Sequence, residues 1–240
     1  MTQEHAGQSM AFRECVLFYV KWPEPGKVKT RLAADIGDEH AAGFYRCFIL
    51  DMLAALAHNP QPICICYAPA ESEFNFRRWL GPAYYYLPQS GDDLGERMQR
   101  SFQQAFQRGF ESACLVGSDL PALPPEYVNE AFTRLHQYDS VIGPSNDGGY
   151  YLIGFRRETF FPEIFQNIAW SQPTVYQVTL AKYRQRETRL FPLFSWDDVD
   201  NWRDLQQWYQ LGCDKRRAPR TCAYFTTLRN NLPLSQRRKK

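Results

Sequence analysis

The chemistry this chain could perform is concentrated in three short stretches. The first is Lys21-Trp22-Pro23-Glu24-Pro25-Gly26-Lys27-Val28-Lys29-Thr30-Arg31-Leu32, which places four cations and a threonine within eleven residues. A loop punctuated by Pro23, Pro25 and Gly26 can wrap phosphates, with lysines as point charges, arginine as a fork and backbone N–H groups as donors. The same composition suits a solvated basic loop. It matches neither the GxxxxGK(S/T) nor the GxGxxG phosphate-binding pattern, since Gly26 is its only glycine.

The second stretch is Gly117-Ser118-Asp119-Leu120-Pro121. A carboxylate just past an apolar strand is well placed to hold Mg²⁺ or Mn²⁺ jointly with substrate phosphates, because such ions use few protein carboxylates. An aspartate there can equally cap the next turn. The third is Ser145-Asn146-Asp147-Gly148-Gly149-Tyr150-Tyr151. Its Asp-Gly-Gly permits positive φ angles and close backbone approach, and is also a favoured hairpin turn. Late in the chain, Asp197-Asp198-Val199-Asp200-Asn201 crowds three acids before a predicted helix. Asp198 or Asp200 could cap that helix, or one could complete a metal site with Asp119. Like charges this close are costly without a cation, which favours at least one metal ligand.

The elements that must carry these stretches follow from hydrophobic periodicity. Short apolar, β-branched or aromatic runs predict strands at 15–20, 63–67, 84–87, 113–117, 140–143, 150–155 and 190–193. Helical spacing predicts helices at about 37–58, 71–80, 94–110, 124–136, 158–166, 173–185 and 201–211. Strands alternating with helices, and apolar along their length, predict an α/β fold with a mostly parallel central sheet covered by helices on both faces. In such sheets ligands bind beyond the carboxyl ends of the strands, where all three stretches fall. There is no internal repeat. Residues 1–13 are expected as a flexible polar arm, 14–215 as a single domain and 216–240 as a basic extension.

At 240 residues, with 44% hydrophobic and 22% charged side chains, the chain has an ordinary globular balance. Its 15% aromatic content suits a deep core and a cleft able to stack flat rings. A net charge of +2 gives no field suited to nucleic acid. No apolar stretch approaches the ~20 residues a membrane span needs. The seven cysteines show no zinc-type spacing, so reduced thiols in a soluble, cytoplasmic protein are expected. The four histidines, His5, His40, His58 and His136, lie in the arm or on predicted helices, which argues against a Ser/His/Asp hydrolase.

Taken together, several segments resemble the bacterial DUF2064 family, also described in terms of arsenosugar-biosynthesis glycosyltransferases. They are Lys21-x-Pro23-x-x-Gly26-x-Val28-Lys29-Thr30-Arg31-Leu32, Asp93-Leu94-Gly95-Glu96-Arg97-Met98, Gly117-Ser118-Asp119-x-Pro121, Asp147-Gly148-Gly149-Tyr150-Tyr151 and Asp198-Val199-Asp200-Asn201-x-x-Asp204-Leu205. The resemblance spans roughly 15–210, and Asn201 stands where the family usually has threonine. It implies a glycosyltransferase-A-like, Rossmann-like fold of nucleotide-diphospho-sugar transferases, related to the molybdenum-cofactor and phospholactate guanylyltransferases. By the same resemblance Lys21, Lys29 and Arg31 would bind phosphates, together with Gly26, Thr30 and Ser118 around them. Asp119 would hold the Mg²⁺ or Mn²⁺, with Asp200 as second ligand. Asp147, Gly148, Gly149 and Tyr150 would line the acceptor or sugar side. Gly95, Glu96 and Arg97 would shape the nucleotide pocket, or form a plain helix face.

Three functions stay open at this point. The first is metal-dependent glycosyl transfer from a nucleotide-sugar to a small acceptor, with Asp147 and Asp198 as the candidate bases. The second is nucleotidylyl transfer from a nucleoside triphosphate to a small phosphorylated substrate, releasing pyrophosphate. The third is nucleotide binding without catalysis. Trp202 and Trp208 could serve a homodimer contact or pack into the core.

Overall fold

The computed structural model describes residues 13–211 and 214–231. The remainder of the expected arm, and the basic cluster at 237–240, lie outside the described residues.

Seven strands form one sheet in the order β3-β2-β1-β4-β6-β5-β7. They are β1 (Glu14–Lys21), β2 (Ile63–Ala68), β3 (Tyr85–Pro88), β4 (Ser112–Val116), β5 (Ser140–Pro144), β6 (Tyr150–Arg156) and β7 (Leu190–Pro192). Only β6 runs against the rest, pairing antiparallel with both β4 and β5. That reversal makes 145–149 a hairpin turn, and puts the turn at the same edge as the carboxyl ends of β1–β4.

The helices are α1 (Thr30–Ile36), α2 (Asp38–Leu56), α3 (Glu73–Leu80), α4 (Leu94–Gln107), α5 (Pro125–Leu135), α6 (Val175–Gln185), α7 (Trp202–Gln210) and α8 (Pro219–Asn231). Successive side chains of a strand point to opposite faces, and β1 divides accordingly. Val16, Phe18 and Val20 join the core beneath α1, α2, α3, α5, α7 and α8. Cys15, Leu17 and Tyr19 join the core beneath α4 and α6. The sheet is thus buried on both sides, as its apolar strands require.

The structure differs from the sequence expectations at four places. The expected helix at 158–166 is two 3₁₀ turns, Arg157–Thr159 and Pro162–Phe165. Pro162 has no N–H to donate, and Phe161 before it is extended (φ −127°, ψ 112°), which breaks the helix. Helix α1 begins inside the loop that its prolines and glycine concealed. The segment expected as a basic extension contains α8, whose Phe225 and Leu228 are core residues, so the domain continues through it. Trp202 stacks on Phe225 (5.4 Å, 20°), and Trp202 and Trp208 both pack against that core. Cys15, Cys47, Cys64, Cys66 and Cys114 are free, whereas Cys222 is disulfide-bonded, against the expectation of reduced thiols. No described helix is long and apolar enough to cross a membrane.

Candidate active site

A cleft of about 780 Å³ opens at the carboxyl edge of the sheet. The chain leaving β1 turns at Gly26 (φ 77°), where the Lys27 amide donates to the Glu24 carbonyl at 3.1 Å. It then passes through Lys29, whose left-handed backbone (φ 47°, ψ 44°) precedes α1. The side chain of Lys29 is only 4% exposed. Beside it the Tyr45 hydroxyl, from α2, accepts from the Lys21 amide at 2.9 Å and lies 2.8 Å from Ser118 Oγ, fixing the ends of β1 and β4 together.

Lys29 Nζ reaches Asp119 Oδ2 at 2.9 Å, Asp200 Oδ1 at 2.7 Å and the Val199 carbonyl at 2.7 Å. Two of these contacts are hydrogen bonds and the third is an ion pair, so the ammonium is enclosed by three oxygens. Two further features fix these acids. The Val199 amide donates to the Asp119 carbonyl at 2.9 Å. Asn201 and Asp204 form a reciprocal capping box at the start of α7, and Asp204 Oδ2 also accepts from the Asp200 amide at 3.0 Å. Asn201, where the family pattern usually has threonine, therefore caps α7. The crowded acids do have a counter-cation, supplied by Lys29.

Burial works against the Lys29 charge, but Asp119 and Asp200 outweigh it and hold its pKa above the ordinary lysine value. Burial likewise raises Asp119, yet with the ammonium at 2.9 Å we take the pair as ionised at neutral pH. Asp119 Oδ1 is buried without a hydrogen-bond partner. Asp198 is pushed up to about 6 by burial and by the neighbouring charges of Asp200 and Asp147. Its Oδ1 accepts from Ser145 Oγ at 3.0 Å.

That shift has a stability consequence. A carboxyl whose folded pKa is raised disfavours folding once it ionises, so its stabilising effect is complete below the ordinary value and lost as pH rises through about 6. Asp198→Asn should therefore stabilise the metal-free protein by about 1–2 kcal/mol at pH 7.5, discounted for partial exposure, and by little at pH 4. Urea unfolding at the two pH values measures this, and equal stabilities at pH 7.5 would count against the charge crowding.

Of the residues singled out by sequence, Lys21, Lys29, Thr30, Arg31, Ser118, Asp119, Asp147, Gly149, Tyr150, Asp198 and Asp200 line this one cleft. Gly26, Gly95, Glu96, Arg97 and Gly148 do not. Glu96 accepts from the Asp92 amide at 2.8 Å and pairs with Arg100, while Arg97 Nε donates to the Gly91 carbonyl at 3.0 Å. They build the start of α4. Asp147 Oδ1 accepts from the Gly149 amide at 2.9 Å, within the hairpin turn.

The two remaining glycines make room for a wall that sequence reasoning missed. A Cβ on Gly95 would lie 2.7 Å from the Trp170 ring, and one on Gly148 (φ 89°) would lie 2.0 Å from the Pro173 carbonyl oxygen. Both admit the loop bearing Trp170, Ser171, Gln172 and Pro173, which closes one side of the cleft. Lys27, Tyr45, Gln89 and Met98 also line it. The glycines were the signal, but a glycine does not say what approaches it.

The comparisons with known proteins agree with this architecture. The model of the family described as "Uncharacterized protein conserved in bacteria (DUF2064)" matches residues 51–172. A solved structure from Desulfovibrio desulfuricans G20, provisionally described as a nucleotide-diphospho-sugar transferase, is 44% identical. It covers 90% of this chain and 95% of its own, with a TM-score of 0.86. Two more distant structures share the fold alone. CMP:2-keto-3-deoxy-manno-octonic acid synthetase complexed with CTP is 8% identical, with a TM-score of 0.55 over 85% of this chain and 99% of its own. The inositol-1-phosphate CTP transferase from T. maritima is 14% identical, with a TM-score of 0.51 over 84% and 95%. No curated protein matches the sequence.

Proposed function

The chain belongs to the DUF2064 family, and from that premise we propose that it is a transferase using a nucleotide-diphospho-sugar donor and passing the sugar to a small acceptor. One observation carries the reading. Asp119, Lys29 and Asp200 form an alternating charge cluster at the carboxyl edge of the sheet, in a cleft that Lys21, Lys27 and Arg31 also line. That is the charge pattern a diphosphate with a divalent cation needs. The 44% identical relative supports the donor class through its own description.

Asp119 and Asp200 offer hard carboxylate oxygens suited to Mg²⁺ or Mn²⁺, and Asp119 Oδ1 is an acceptor without a partner. Among the described residues no group of three or more His, Cys, Asp or Glu side chains is assembled for a metal. An ion that takes most of its ligands from substrate phosphates and water needs no such group. When bound, it would neutralise charge developing on the departing diphosphate.

The chain's own residues supply the rest. Lys27 and Arg31, with side chains 71% and 72% exposed, would hold phosphate oxygens. Across the cleft we assign the base to Asp198 rather than Asp147, which is engaged in its own turn. Asp198 would take the proton of the attacking acceptor hydroxyl. The acceptor oxygen then bonds to the anomeric carbon as that carbon's bond to the phosphate oxygen breaks.

The basic loop gives a direct check. Lys27→Ala combined with Arg31→Ala should weaken a nucleoside diphosphate at least about tenfold while leaving the parent nucleoside nearly unchanged. Calorimetric titration of both ligands reads this, and equal losses would make the loop structural.

Nucleotidylyl transfer remains the second reading because Lys29, Thr30 and Arg31 of the guanylyltransferase-like cluster all line the cleft. A donor screen with Mg²⁺ and Mn²⁺, following nucleoside diphosphate and pyrophosphate separately, decides between them. Nucleoside diphosphate from a sugar-nucleotide supports the proposal. Pyrophosphate from a nucleoside triphosphate, with none of the former, overturns it in favour of the second reading. Tight binding without turnover across donors and acceptors would leave a binding protein.

A further inference from the structure

The acids proposed for the cation are not open in this structure. Lys29 stands between them, with its ammonium enclosed by Asp119 Oδ2, Asp200 Oδ1 and the Val199 carbonyl. The other oxygen of Asp119 is buried and unpartnered. A divalent cation approaching this pair alone meets a positive charge already seated at both carboxylates, and repulsion at a few ångströms is large in a half-buried site.

Two features show that this arrangement is held against local preferences. Lys29 is a non-glycine residue in the left-handed region (φ 47°), a conformation that side chains disfavour. Asp119 Oδ1 lacks the hydrogen bond a buried carboxylate oxygen normally has. Leaving the contact breaks two hydrogen bonds and an ion pair, so the ammonium moves only towards another anionic partner. Lys29 also lines the same cleft as Lys27 and Arg31. An anion seated on those cations is therefore a second partner for the same ammonium.

We propose that Lys29 is an internal cation that latches Asp119 to Asp200, so that a divalent metal binds well only together with a diphosphate that takes over the ammonium. The inference rests on the metal site proposed above and adds an order to it. The donor's phosphates and the metal enter as a linked pair, and the empty site does not hold metal on its own. Lys29 acts here as a positioning residue.

Mn²⁺ binding to the whole chain and to Lys29→Met, with and without inorganic pyrophosphate, tests this. Electron paramagnetic resonance reads the free ion, after correction for the ion that pyrophosphate itself chelates. For the parent protein, pyrophosphate should tighten Mn²⁺ at least about tenfold. Without pyrophosphate, Lys29→Met should bind Mn²⁺ at least about tenfold tighter than the parent, because the competing charge is gone.

Equal Mn²⁺ affinity of the parent with and without pyrophosphate overturns the latch and leaves the metal site standing. A folded Lys29→Met that binds Mn²⁺ no tighter than the parent also overturns it. No Mn²⁺ binding under any condition overturns both the latch and the metal reading. Should the variant fail to fold, the comparison on the parent protein alone decides.

Discussion

Replacing Asp119 with asparagine should lower the affinity for a nucleoside diphosphate in Mn²⁺ by at least about a hundredfold, with the fold retained. The size follows from position. Asp119 follows the carboxyl end of β4 at the cleft, and removing even an indirect partner of a metal typically costs 10–100-fold. An amide is a far poorer ligand for Mg²⁺ or Mn²⁺ than a carboxylate, and it removes one of the two charges that face Lys29. The fold should survive because the Lys29 ammonium keeps Asp200 and the Val199 carbonyl, and the amide oxygen of asparagine can still accept its third proton. Titration of a nucleoside diphosphate with Mn²⁺ and with EDTA separates the metal-dependent part of binding from the rest. Undiminished Mn²⁺-dependent binding in Asp119→Asn would remove this aspartate from the proposed metal site. A large drop in thermal midpoint would instead show that the carboxylate mainly neutralises a buried lysine.

The expectation of a metal at these acids shows how far residue types alone can reach. That Asp198 and Asp200 would need a nearby cation follows from charge repulsion, and the structure supplies one. It comes from Lys29, whose sequence position, 171 residues before Asp200, gives no hint of contact. A lysine in a loop with Pro23, Pro25 and Gly26 reads as solvent-facing. Its left-handed backbone turns the side chain inward instead, and that conformation is not written in a lysine. Asp119 and Asp147 were legible because they sit directly after an apolar run or beside paired glycines. Trp170 was not, because its segment lacks both periodicity and a strand end.

The fold was more legible than the site for a related reason. Strands of five to eight residues buried on both faces, such as β1 and β4, leave continuous apolar runs that few other structures produce. The reversal of β6 was not legible, since a strand buried on both faces carries no mark of its direction. The favoured turn pair Asp147-Gly148, which allowed a hairpin as one of two readings, was the one clue to it. Helix α8 escaped for a different reason. Its sequence, PRTCAYFTTLRNN, mixes basic and polar residues with few apolar ones, so it reads as tail, and the contact that anchors it lies on another helix.

That contact predicts a large loss of stability. Asp51, on α2, is fully buried, and its two oxygens accept four hydrogen bonds from the first turn of α8. Oδ1 takes the Arg220 amide at 3.2 Å and Arg220 Nη1 at 3.3 Å. Oδ2 takes the Thr221 amide at 2.9 Å and Thr221 Oγ1 at 2.8 Å. The first N–H groups of a helix have no partner within it, and Pro219 ahead of them has none to offer, so a carboxylate from α2 serves as the cap. Asp51→Ala would strand the Thr221 amide and hydroxyl in a fully buried position and leave Arg220 unpaired. Arg220 is half-exposed and can turn to water, so the loss is set by the two stranded Thr221 groups, about 2–4 kcal/mol in all, and Asp51→Asn, which keeps an acceptor oxygen, should lose about 1–2 kcal/mol. Urea unfolding of both variants measures the difference, and a loss below about 1 kcal/mol in Asp51→Ala would mean α8 is held by Phe225 and Leu228 alone. The effect should also reach the cleft. Helix α2 carries Tyr45, which ties the Lys21 amide to Ser118, so loosening α8 from α2 frees the helix that aligns the ends of β1 and β4. Diphosphate affinity in Asp51→Ala should therefore fall by a few-fold even under conditions where the protein stays folded, while Asp51→Asn should bind nearly as the parent does.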